Sequence, residues 1–293
     1  MLGFIVDTEF VWGFQARIVG FSKTSPSFHY PPPTTFLGAL AEVIAKDNNI
    51  GEMLGKYIIN ELSKNLLAIG FRPINCVPIK YEDINKIIAV KITSWILYPN
   101  PRNIAGSFDS PARGKTALSS LDDKAPRIRW FLIFKDKELC FQDSKLESRV
   151  NRVILNKNLF WRIHRLGSKE SRVSVVNVEE LEKIQVISEG YIITNYAFPL
   201  GSINGEEKTR KWEYEVYINP FEGNIYTRSN NEEEGIFHKY YNMKYLSVFR
   251  IPIIISLWRL PEYAGTLTNG WKAYCDKNNR EVVIGVDEAS LPS

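Results

Sequence analysis

Three consecutive prolines, Pro31-Pro32-Pro33, constrain this chain more than any other stretch. Proline fixes φ and has no N–H to donate, so the run is stiff, extended and cannot be helical. Immediately after it the pattern changes. Phe36, Leu37, Leu40, Ala41 and Ile44 recur at helical spacing behind Thr34 and Thr35, which offer a threonine as N-cap. Upstream, the β-branched and aromatic run from Phe4 to Trp12 reads as a strand. A strand, a rigid lead-in and a helix open the chain, and that order belongs to mixed α and β structure.

The remaining patterns extend the series. A second helix is expected across Met53, Leu54, Tyr57, Ile58, Leu62 and Leu66, with Glu52 and Lys56 paired at i,i+4 and Gly70 just past its end. Residues 87–97 and 127–134 are strand-like. Between them, 98–126 is rich in Pro, Gly, Ser and Asp. It is too long for a structureless loop in a compact domain and reads as a functional projection or a disordered insert. Ser144 and Glu147 make a capping box for a third helix carrying Leu146, Val150, Val153 and Ile154, and a basic turn at Gly167 then leads into a β-branched strand. From about residue 184 to 284 the chain reads mostly as strands. The class is α+β. The order approximates the βαββαβ unit of ferredoxin-like and RRM folds, with 1–196 as its core, including the 98–126 insertion, and 197–293 as a β-rich part packed on it.

Composition narrows the function classes. At 44% hydrophobic and 24% charged residues, the chain matches ordinary globular proteins. Cys76, Cys140 and Cys275 lie far apart, form no CxxC and lack zinc-ligand spacing, so a reducing cytoplasm is expected. Asp7 and Glu9 interrupt the apolar N-terminal run, which therefore does not read as a signal peptide. The longest apolar stretch, Ile251 to Trp258, falls far short of the roughly 18 residues that span a bilayer. No membrane association is expected.

Familiar catalytic motifs are missing. Arg113-Gly114-Lys115-Thr116 imitates the end of a P-loop, but Asp109 stands where the first glycine belongs, and its charge would repel phosphate. His29, His164 and His238 are isolated from one another, so no metal site and no cofactor are expected. Charge distribution says more than motifs do. From Lys145 to Arg172 there are eight basic residues against two acidic ones, a net of +6 that leaves −2 for the rest of a chain whose total is +4. Such a stripe is the footprint of a polyanion partner or a solvated helix face. Trp161, Arg162 and His164 interleave with the charges and can stack on unpaired bases, and Arg172 closes the run. Within the stripe, Arg165-Leu166-Gly167-Ser168-Lys169-Glu170-Ser171 is a turn whose glycine admits positive φ. Its successive N–H groups, with the Ser168 and Ser171 hydroxyls, offer an anion nest, while Arg165 and Lys169 add charge. Arg102, Arg113 and Lys115 place further basic residues in the insertion.

Two segments carry a family resemblance. Tyr30-Pro31-Pro32-Pro33-Thr34-Thr35-Phe36-Leu37-Gly38-Ala39-Leu40 resembles the PPPTT-x-x-GAL start of the first helix in the CRISPR-associated "Cas five" family. The 165–171 turn is similar to the R-x-G-S-K-E-S turn of that family's archaeal type I-A branch; type I-D is the alternative subtype. The resemblance implies a RAMP protein with a modified RRM core, acting in a Cascade surveillance complex in antiviral defence. It implies that the subunit caps the 5′ handle of crRNA and contacts a backbone subunit (the "Cas seven" family), the large subunit and target DNA near the PAM. Residues 98–126 are then the candidate for a thumb-like projection. Lys23, His29 and Tyr30, just before the first helix, join the turn residues as RNA-binding candidates. The expected function is a non-catalytic RNA-binding subunit. The alternative, by analogy with the type I-C branch, is a metal-independent endoribonuclease using His164 with Lys169, or His29 with Tyr30.

Overall fold

The computed structural model describes residues 1–16, 26–82, 114–141, 152–208, 211–223, 225, 242–253, 260–278 and 280–290. Strand β1 (Leu2–Phe10) is nearly all buried because it lies inside a sheet with both faces covered. Alternate side chains point to opposite faces. Phe4, Val6 and Phe10 belong to the large core beneath the helices, while Ile5 joins Leu67, Phe131, Ile133, Tyr196 and Tyr274 on the other side.

After the short β2 (Gly13–Phe14), helix α1 (Pro33–Asp47) begins at the third proline, with Pro32 at the N-cap and no side-chain cap. The threonine N-cap expected from sequence is therefore corrected: proline at N1 needs no N–H partner there, and Thr34 is already inside the helix and buried. Helix α2 (Glu52–Lys64) stops two residues before Leu66, where β3 (Leu66–Pro73) begins. Leu66 and Gly70, assigned to the helix and its end, are strand residues. A short, wholly apolar run does not distinguish the two by periodicity. At Gly70 a Cβ would stand 2.6 Å from Val283 Cγ2 and 3.0 Å from Tyr196 Cβ, so glycine there permits close packing rather than a helix stop.

Beyond β3 come β4 (Cys76–Glu82), β5 (Gly114–Ser120), β6 (Arg127–Phe134), β7 (Glu138–Cys140) and β8 (Arg152–Ile154). The expected strand at 87–97, most of the expected helix after Ser144 and residues 98–113 lie outside the described residues. Val153 and Ile154, expected in that helix, pair instead with Leu139 and Glu138 in a β7–β8 ladder. Residues 114–120 of the supposed insertion are also regular: β5 pairs along its whole length with β4 and touches β2. The Gly-Lys-Thr sequence thus lies on a strand. Helix α3 (Lys157–Trp161), capped by the Asn156 side chain, precedes β9 (Val173–Leu181).

The C-terminal strands are β10 (Gln185–Ile187), β11 (Tyr191–Thr194), β12 (Phe198–Pro199), β13 (Ile203–Glu207), β14 (Trp212–Ile218), β15 (Leu246–Pro252), β16 (Tyr263–Leu267), β17 (Trp271–Cys275) and β18 (Val282–Val286). They build two three-stranded sheets, β11-β16-β13 and β12-β15-β14. They also extend the main sheet, whose order is β10-β17-β18-β3-β6-β1-β9. The division expected at 196/197 therefore cuts through shared structure. Gly285 pairs with Ala68, where a Cβ would lie 2.0 Å from Leu67 O, so only glycine lets β18 approach β3. A polar ladder crosses the same division. Arg129 binds Asp7 bidentately at 2.7 and 2.8 Å and Glu281 at 2.7 Å, and Glu281 also accepts from Arg72 at 3.1 Å and the Tyr196 hydroxyl at 2.6 Å. The architecture is α+β. No described helix is long and apolar enough to cross a bilayer.

Candidate nucleic-acid interface

The turn after α3 is held from outside and from within. Leu166 is fully buried and anchors it. Arg165 and Arg172 form an antiparallel bridge, with Leu166 N donating to Ser171 O at 3.1 Å. Gly167 sits at φ +123°, a conformation that L side chains rarely adopt. Beneath it runs the segment just after β2. Gln15 N donates to Ser171 Oγ at 2.9 Å, Gln15 O accepts from Ser168 N at 2.9 Å, and Trp12 Nε1 donates to Glu170 O at 3.1 Å. The same segment continues into the β2-β5-β4 sheet through Leu118 N to Trp12 O at 3.0 Å.

These bonds revise the expected anion nest. Ser168 N, Ser171 N and Arg172 N are committed to Gln15 O, Ser168 O and Glu170 O. Ser171 is fully buried and its hydroxyl accepts from Gln15 N, so its role is to hold the turn and not to meet a phosphate. Ser168 Oγ donates to Glu170 Oε2 at 2.9 Å. What the turn presents outward is Lys169, 85% exposed at its side chain and 3.8 Å from the exposed Glu170 carboxylate, and the exposed Arg172.

The basic stripe is partly neutralised by acids brought in from elsewhere. Arg165 binds Glu42 at 3.2 Å, Arg162 binds Asp47, and Arg152 binds Glu138 at 3.1 Å. Glu42 also holds Lys46 at 2.8 Å. Burial pushes the Glu42 carboxyl up, but the Lys46 hydrogen bond and the charges of Arg165, Lys46 and His164 prevail and hold it below its ordinary value. Trp161 is 45% exposed beside Arg162, while His164 is half-buried with Nδ1 3.4 Å from Arg162 O. An exposed aromatic ring is suited to stacking on an unpaired base.

Residues before α1 form a second group. Tyr30 is fully buried, and its hydroxyl donates to Pro252 O at 2.7 Å. Burial first, then the nearby Cys76 and Glu215, push that phenol well above its usual value. Tyr30 is therefore a core residue, which corrects its place among the RNA-binding candidates and removes it as a proton-transfer partner for His29. His29 is held by Glu215, which accepts from its backbone N at 2.9 Å and sits 3.1 Å from its Nδ1. Because a carboxylate only accepts, the contact has Nδ1–H as its donor. Lys80 Nζ lies 3.9 Å from the same Glu215 carboxylate, while Lys115 lies on β5 next to Thr116, whose own Oγ1 donates to Phe28 O at 2.5 Å. Lys23, Arg102 and Arg113 lie outside the described residues. The structure brings Arg162 to Arg172 together against the end of α1, and the Trp12–Gln15 segment links them to the His29 group. Sequence reading missed Trp12, Gln15, Glu42 and Glu215. Each is a single residue without a local motif, and only the fold sets it beside the site.

No protein-family model matches the chain. Individual proteins do. A crystal structure of a CRISPR protein from Archaeoglobus fulgidus is 45% identical with a TM-score of 0.69, covering 98% of this chain and 100% of that one. "CRISPR-associated protein Cas5 2" of Saccharolobus solfataricus is 24% identical over 249 residues, 82% of each chain. "CRISPR system aCascade subunit Cas5 1" of the same organism is 28% identical over 215 residues, 71% of this chain and 78% of that one. At 45% identity over the full length of its match, this is a CRISPR protein. Together with the two Saccharolobus relatives, that places it more narrowly: the chain belongs to the Cas5 family.

Proposed function

We propose that the chain is a non-catalytic RNA-binding subunit of an archaeal type I Cascade, most like type I-A, holding the 5′ handle of crRNA. The observation that carries this reading is the glycine turn. It is clamped onto the Trp12–Gln15 segment and leaves Lys169 and Arg172 exposed, and Trp161, earlier in the same basic stretch, is 45% exposed. Phosphate contacts from the two cations would fix the strand, and Trp161 would stack on a splayed base.

The ladder β3-β6-β1-β9, with α1 and α2 between β1 and β3 and α3 between β6 and β9, supports reading the core as a ferredoxin-like RAMP unit. Of the 98–126 candidate for a thumb-like projection, residues 114–120 form β5 in a sheet, and 98–113 lie outside the described residues. In the assembly the subunit contacts the backbone subunit and the large subunit, near the PAM end of the target DNA. The name of one relative, an aCascade subunit, supports that membership.

Filter binding to a repeat-derived RNA across a salt series tests the proposal. On single strands each phosphate contact contributes a slope of about −0.7 in log affinity against log salt. Lys169→Ala combined with Arg172→Ala should flatten the slope by about 1.4. An unchanged slope would remove the turn from the interface. In EDTA, intact RNA is expected after prolonged incubation. Cleavage that His29→Ala abolishes would move the protein to the endoribonuclease class.

A further inference from the structure

Past its last residue, Phe10, β1 still runs beside the residues that lead into β9. Val11 N donates to Arg172 O at 3.4 Å, and Trp12 Nε1 donates to Glu170 O at 3.1 Å. Val11 and Trp12 are thus bonded to the two residues that flank Ser171 in the basic turn. Val11 is 75% exposed and Trp12 is half-buried. A single exposed apolar side chain is ordinary on a protein surface. Trp12 differs in its chemistry. Its one polar side-chain group is already spent on Glu170 O, so the side-chain surface it leaves to solvent is ring carbon.

We infer that Trp12, with Val11 beside it, is a nucleobase subsite: a base of the RNA strand whose phosphates lie on Lys169 and Arg172 stacks on the indole. The inference rests on the RNA-binding function proposed above and deepens it by naming the residue that takes a base. The indole is tied to Glu170, the residue after Lys169, and Val11 is tied to the carbonyl of Arg172 itself. Cations for a phosphate and a ring for its base therefore belong to one short stretch of surface. The Glu170 bond holds the ring against the turn before any ligand arrives, which lowers the ordering cost of binding. Stacking needs only the π-face that every base has. With its N–H committed, the indole reads no hydrogen-bond pattern, so this subsite accepts any base.

The test measures binding of the full-length protein to a labelled, single-stranded, repeat-derived RNA across a salt series. Trp12→Leu removes both the ring and the N–H, whereas Trp12→Phe removes the N–H and keeps an aromatic face. Trp12→Leu should lose affinity by about tenfold with an unchanged salt slope, because stacking releases no counterions. Trp12→Phe should recover most of that loss. On RNAs carrying one abasic position each, the Trp12→Leu deficit should vanish at a single position, and exchanging the base there for another should leave binding unchanged. Equal binding by Trp12→Leu and the unsubstituted protein would overturn the inference. Equal losses in the two variants would do the same, since both lack the Glu170 bond and the indole would then only clamp the turn. A deficit that persists on every abasic RNA would also overturn it. The functional reading fails separately. A salt slope left unchanged by Lys169→Ala with Arg172→Ala takes the turn out of the interface, whereas a flattened slope with no Trp12 effect removes the base subsite alone. If the unsubstituted protein binds no RNA, the functional reading falls, and this inference with it.

Discussion

At Gly167 a single backbone angle decides whether the turn can exist. At φ +123°, with Gln15 O 2.8 Å and Ser171 Oγ 2.9 Å from where a Cβ would stand, alanine meets both strain and collision. Gly167→Ala should lower unfolding free energy by about 1–3 kcal/mol, measured by urea denaturation, and should weaken RNA binding by displacing Lys169 and Arg172. A denaturation midpoint that does not move would mean the turn relaxes without cost. The glycine was legible in the sequence because a Gly between basic and hydroxyl residues has few other uses. The assignment of Ser171 was not, because its partner, the amide of Gln15, comes from 156 residues away.

Helix α1 carries the next level of control. Its lead-in prolines and apolar face were readable, and Phe36, Leu37, Leu40, Ala41 and Ile44 are all buried as their spacing requires. Its polar face was not readable, because its partners are non-local: Glu42 meets Arg165 and Asp47 meets Arg162. Glu42 has its carboxyl held below the ordinary 4.5 in the folded protein. A depressed carboxyl stabilises the fold above its unfolded value, and that contribution is lost as pH falls through the folded value. Between neutral pH and about pH 5 the Glu42 contribution should therefore be constant, and it should decline below 4.5. Glu42→Gln should be less stable at neutral pH and show a shallower loss on acidification, followed by thermal melts across the range. Parallel acid profiles for the two proteins would show that the tie between α1 and the turn contributes nothing.

The whole molecule is organised by one sheet that both halves of the chain build. Strands β17 and β18 add to β3, and Glu281 couples Arg72, Arg129 and Tyr196 across the boundary once expected at 196/197. Removing residues 197–293 would expose the apolar cluster of Ile5, Leu67, Phe131 and Ile133 and leave Arg72 without its acid. A 1–196 fragment should accordingly lack a cooperative melting transition by circular dichroism. A sharp transition near that of the full chain would restore the two-part division.

By itself the sequence determined what depends on neighbours a few residues apart. That includes the opening strand, the proline-started helix with its buried face, the strand after Gly167, the family, and the presence of an unusual basic turn. Tertiary structure decided what depends on residues distant along the chain. Tyr30 is a core side chain because Pro252 O lies 222 positions on. The basic stripe is tempered because α1 delivers Glu42 and Asp47 to it, and the C-terminal strands join the main sheet because Gly285 admits the backbone of Leu67. Local patterns register in periodicity and turn chemistry. Burial and charge pairing between distant segments leave no such trace, since any one of many residues could fill the partner's place until the chain has folded.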